Sequence, residues 1–175
     1  MSDSAAETRL DSGPLHHLDG ALAACGWATS LVRTYDRDRI KAPKHRIKEW
    51  DYYLVNDGEF AVALTLADMG YVGLISASVM DFAQATSHTA SVITPLPLGR
   101  FKLPASSAEG VSTFENNRVS FRFEVEGGQR RIKVWFADFD DTDDLTFEAV
   151  LDAEPPGPLV IPTPWARDPT AFYHN

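Results

Sequence analysis

Asp68 closes the apolar run Phe60–Ala67 just before Met69-Gly70-Tyr71, so it is where acid chemistry would sit. Buried at that point with a raised pKa, its carboxyl would protonate an alkene or polarise a bound molecule, as hydration or cyclisation requires. The competing reading makes Asp68 a turn residue whose carboxylate accepts backbone N–H bonds at a hairpin end, and the local residues favour the turn. Trp50, Tyr52, Tyr53, Tyr71 and Trp135 are the aromatic counterpart. At strand spacing they either line a cavity for a flat or long apolar molecule or belong to the core. Lys48 beside Trp50 suggests a cation over the indole face that closes one end of a barrel.

Other chemistries find less support. Asp138, Asp140, Asp141, Asp143 and Asp144 lack the central glycine and terminal glutamate of a calcium loop, so they read as a solvated acidic turn. His16 and His17 are adjacent and cannot both face one point, which argues against a metal site built on them. The single cysteine, Cys25, excludes an internal disulfide and a multi-cysteine zinc site, and it reads as a buried structural thiol. No phosphate-cradling glycine loop, Gly-x-Ser-x-Gly elbow or His-Glu-x-x-His stretch occurs. No metal and no cofactor is implied.

The elements that must position these residues are strands. From Arg46 to Asp81 the chain reads as three strands joined by short turns, with the first break at Asn56-Asp57-Gly58-Glu59. Trp50, Tyr52 and Leu54 alternate with Asp51, Tyr53 and Val55; Phe60, Val62, Leu64 and Leu66 then share one face. A turn and a further strand are expected between Phe82 and Ala90, and the prolines in TPLPLG make a connection. Val119, Phe121, Phe123 and Val125 alternate with Ser120, Arg122, Glu124 and Glu126, the pattern of a sheet with one dry side. Gly127-Gly128 reverses the chain into Ile132, Val134 and Phe136, and Leu145, Phe147, Ala149 and Leu151 complete a second meander.

The ends differ from the middle. Residues 1–12 are small, polar and acidic and are expected to lack order, leaving 13–175 as a single β-domain. Gly13–Thr34 reads as an irregular wrap with short regular pieces, and the proline-rich tail as punctuated chain with a short edge strand at 159–161. Trp165, Phe172 and Tyr173 need cover. Arg37, Arg39, Lys41, Lys44, Arg46 and Lys48 form a basic run, read as a solvated loop or charged edge. A net charge of −9 over 175 residues argues against nucleic-acid backbone binding. No run reaches the roughly 20 apolar residues of a membrane-spanning helix, and the start lacks a secretory apolar region, so a cytoplasmic setting is expected.

The strings RIKEWDYYLV and LTLADMGYVGL resemble the bacterial uncharacterised family DUF2804, and PLPLG at 95–99, the second meander and the closing PW…FYHN extend the resemblance more loosely from about Gly13 onward. That family looks related to double-calycin proteins, which include carotenoid hydratases and tocopherol cyclases. The resemblance implies an all-β, antiparallel, lipocalin-like barrel or curved sheet that holds a hydrophobic small molecule, a lipid or isoprenoid. Asp68 is the candidate proton donor, and Trp50, Tyr52, Tyr71 and Trp135 are the candidate ligand contacts. A hydratase, cyclase or isomerase is one alternative. A structural half that pairs with a second calycin half, in a dimer or in a longer chain, is the other.

Overall fold

The computed structural model describes residues 8–152, 158–165 and 168–174. The described residues of 43–153 form one compact unit, and those of 1–42 and 154–175 form another. In this terminal unit β1 (Gly13–Pro14) runs parallel to β2 (Arg33–Thr34). Eight strands follow in the 43–153 unit: β3 (Glu49–Asn56), β4 (Phe60–Asp68), β5 (Val72–Asp81), β6 (Thr86–Pro95), β7 (Gly110–Glu115), β8 (Val119–Glu126), β9 (Gln129–Phe136) and β10 (Leu145–Leu151). The tail adds the antiparallel pair β11 (Thr163–Trp165) and β12 (Asp168–Tyr173).

Turn chemistry sets the order of the eight strands. Asp57 Oδ1 accepts the amides of Glu59 and Phe60 at 3.0 and 2.8 Å, which fixes the β3–β4 hairpin. Those bonds hold its carboxyl below the usual carboxylate range. Asn116 Oδ1 does the same for Arg118 and Val119 between β7 and β8. Gly127 and Gly128, at φ 59° and 83°, supply the two left-handed residues of a two-residue hairpin between β8 and β9. Local pairing therefore generates two antiparallel meanders, ordered β3-β4-β5-β6 and β10-β9-β8-β7.

The all-β antiparallel class holds; of the two architectures expected, a lipocalin-like barrel or a curved sheet, a closed barrel is not formed, because the two sheets share no hydrogen-bonded strand pair. The reason lies between β6 and β7. Pro95 and Pro97 have no N–H to donate, and Leu96 and Leu98 take positive φ values of 48° and 54°, so the backbone leaves the extended conformation. A 14-residue connection, 96–109, replaces a hairpin.

Apolar inner faces then hold the sheets together. Leu64, Leu66, Ile75 and Ala77 from the first meander meet Phe121, Phe123, Ile132, Val134 and Phe136 from the second. Tyr53 packs edge-on against Phe123 with ring centroids 5.0 Å apart, and Phe121 meets Phe136 at 6.4 Å. Burying each such side chain contributes about 1.5–3 kcal/mol, so this interior is the main source of stability in the unit.

Residues 1–7 lie outside the described residues, while Arg9 bridges Trp27 and Leu10 is buried. Leu10, Ala28 and Val160 form the small core of the terminal unit, with Ala28 and Val160 paired as an isolated bridge. Cys25 is exposed, a correction to its reading as a buried thiol. It stands in the bend before Gly26, where Ala24, not Cys25, turns to the core.

Phe123→Ala is expected to cost about 3–5 kcal/mol in urea unfolding, because the neighbouring sheet cannot collapse fully into the void. Lys133→Ala, on the opposite face, should change the midpoint little.

Candidate functional site

Asp68 ends β4 and is fully buried. Its Oδ1 accepts the amide of Gly70 at 3.0 Å, within its own hairpin. Its Oδ2 accepts the amide of Gly99 at 2.7 Å, from the proline-rich connection. Both carboxylate oxygens are thus engaged by backbone, and Asp68 fastens the 96–101 loop to the first sheet. The loop is fixed again by Arg100, whose guanidinium donates to the carbonyls of Leu96 and Pro97. Phe101 follows, and it lies on the sheet at Gly73. A Cβ there would stand 2.6 Å from the ring, so only glycine admits it.

This arrangement shapes an open cleft of about 440 Å³ between the loop and β7–β8. Phe101 and Phe114, with ring centroids 5.1 Å apart, form its apolar part together with buried Phe121. Arg100 and Arg122 supply cations at the rim, and Glu115 an anion. Arg122 is already bound to Glu124 at 3.1 Å. A second opening of about 400 Å³ lies beside His88 and Phe139 and is bordered by Asp140, Asp143 and Asp144. There His88 Nε2–H donates a 2.6 Å hydrogen bond to the Phe139 carbonyl. The acidic turn is closed by its own side chains: Asp140 Oδ1 accepts from the Asp143 and Thr142 amides, which lowers its pKa. Among the described residues, no three His, Cys, Asp or Glu side chains converge as metal ligands.

The four aromatic candidates are not brought together. Trp50 and Tyr52 are on the outer face of β3, 38% and 55% exposed. Tyr71 is in the β4–β5 turn, 54% exposed, with the Lys48 ammonium 5.7 Å from its ring centroid. The cation–π contact of Lys48 therefore falls on Tyr71. Trp135 lies on the outer face of β9, where its indole N–H donates to Asp144 at 3.0 Å.

The half-buried Asp51 and its buried partner Ser112 were not singled out by sequence, and the buried His16 was weighed there only as a metal ligand. Asp51 points inward from β3, and Ser112 Oγ of β7 donates to its Oδ2, linking the edges of the two sheets. Burial pushes the Asp51 carboxyl above its ordinary pKa, against the smaller opposing pull of the Ser112 bond. The signal was parity: Asp51 shares a face with Tyr53 and Val55. In the terminal unit His16 is buried, its ring tilted against those of Tyr35 and Phe172 at centroid distances of 5.7 and 5.3 Å. His17 is exposed. Desolvation lowers the His16 pKa and, like the His174 pKa, keeps the ring neutral at pH 7.

A family model described as a domain of unknown function, DUF2804, matches residues 6–175. No curated protein and no solved structure matches the chain significantly.

Asp68→Ala should lower stability by about 3 kcal/mol, since two backbone amides, one buried and one part-buried, lose their acceptor. Asp68→Asn, which keeps one acceptor oxygen, should lose less in the same urea titration. For Asp51 the folded pKa is above the unfolded one, so its favourable contribution is present at acid pH and is lost as pH rises through the folded value. Asp51→Asn should therefore gain on wild type between pH 4 and pH 7, a trend read from paired unfolding midpoints.

Proposed function

For a chain that belongs to the DUF2804 family across residues 6–175, we propose that it binds an apolar small molecule bearing an acidic group, of the lipid or isoprenoid class, in the cleft beside β7 and β8. The observation that carries this reading is the joining of an aromatic wall, Phe101 and Phe114, to the guanidinium groups of Arg100 and Arg122 around about 440 Å³. Ligand clefts commonly span roughly 300–1,000 Å³ and pair apolar walls with a few polar groups that orient the ligand. An acidic head would compete with Glu124 for Arg122, and the apolar body would cover the two rings.

A kinship with lipocalin-like and double-calycin proteins belongs to the same proposal. Two successive four-stranded meanders with apolar inner faces support it. A cytoplasmic setting is read with it, from an exposed unpaired Cys25. No catalytic step is assigned. Asp68 accepts a backbone amide on each carboxylate oxygen and is not among the residues that line either cleft.

A fluorescent polyene fatty acid titrated into the purified chain is expected to bind saturably. Phe114→Ala should weaken it at least about tenfold, or about 1.4 kcal/mol, and Arg122→Ala should weaken the acid while leaving its methyl ester little affected. Non-saturable binding, or binding indifferent to both variants in folded protein, would contradict the reading.

A further inference from the structure

The two outer faces of the 43–153 unit differ in one respect that its inner packing does not require. Outward positions of the second sheet include Arg122, Glu124, Arg131, Lys133 and Glu148, an ordinary solvated surface. The outward positions of β3–β6 contain no charged residue at all. In a chain with a net charge of −9, one whole sheet face without charge is a place from which repulsion has been removed. Trp50, Tyr52 and Leu54 stand along β3 as a ridge, with Tyr52 and Leu54 more than half exposed. Beside Tyr52 and Leu54 the cross-strand rows Thr65-Ser76-Ser91 and Ala63-Ser78-Thr89 present short side chains as a floor, bordered by Leu74 and Ile93 at one end and Met80 at the other.

We infer that this face is the contact between two copies of the chain, stacked sheet on sheet. A face without charge offers nothing to an ionic partner, whereas its high and low halves complement each other. A twofold axis lying in the plane of the face lays the β3 ridge of each copy on the small-residue half of the other, the self-complementary arrangement of a symmetric dimer. The size suffices. Strands of eight to ten residues, at roughly 3.3 Å per residue and about 4.8 Å apart, make a face of roughly 26 by 19 Å. Two such faces cover on the order of 1,000 Å², where specific interfaces begin. The contact is independent of the cleft proposed for ligand, which lies along β7 and β8.

Sedimentation of the full chain across the micromolar range tests it. Wild type is expected to form a dimer. Leu54→Lys, on the ridge, and Thr65→Lys, on the floor, should each give a monomer with an unchanged β-type dichroism spectrum, while Thr146→Lys on the other outer face leaves the dimer intact. A spin label at Ser78→Cys in a Cys25→Ser background gives a reading that needs no folded lysine variant. The contact brings the two labels of a dimer within short dipolar range. A monomer throughout, a dimer indifferent to both lysines, or distant labels would overturn the inference.

Discussion

Two sheets that share no hydrogen-bond ladder are held face to face by side chains alone, and every other feature of the 43–153 unit follows from that constraint. Backbone pairing ends at β6 and resumes at β7 as an independent meander. The energy joining them must come from apolar area removed from water and from aromatic edge contacts such as Tyr53 with Phe123. Asp51 and Ser112 add one polar tie at the sheet edges, and it is tuned by burial. Such an interior is a packed wall, so a binding function has to be sought around it. The cleft that the 96–101 loop makes with β7 and β8 is such a place.

Asp68 links fold and cleft. Its position at the end of an apolar strand permits either a buried acid or a turn anchor, and the local residues favour the turn. The structure gives it two backbone amides, one 31 residues away, so its carboxylate holds the connection that sets Phe101 against the sheet. The long-range partner, Gly99, had no local signature.

Much of the fold was legible because hairpin chemistry is local. Asp57-Gly58, Asn116-Asn117 and Gly127-Gly128 marked their turns, and Val119, Phe121 and Phe123 marked a dry face that the core uses. Parity on β3 was harder. Both alternating sets are apolar, and Trp50, Tyr52 and Leu54 are the greasier one, yet the core takes Tyr53 and Val55 and accepts Asp51 with them. Alternation says which residues share a face and is silent on which face meets another sheet. The same silence hid the open architecture, since meander periodicity is identical in a barrel and a sandwich. The tail strands β11 and β12 escaped because prolines mask strand rhythm.

Nuclear Overhauser contacts in isotopically labelled protein distinguish two stacked meanders from a closed barrel. Cross-peaks are expected between the rings of Tyr53 and Phe123 and between those of Phe101 and Phe114, with no backbone cross-strand contacts between β6 and β7 or between β3 and β10. Ladder contacts at either of those edges, together with missing ring cross-peaks, would contradict the stacked arrangement.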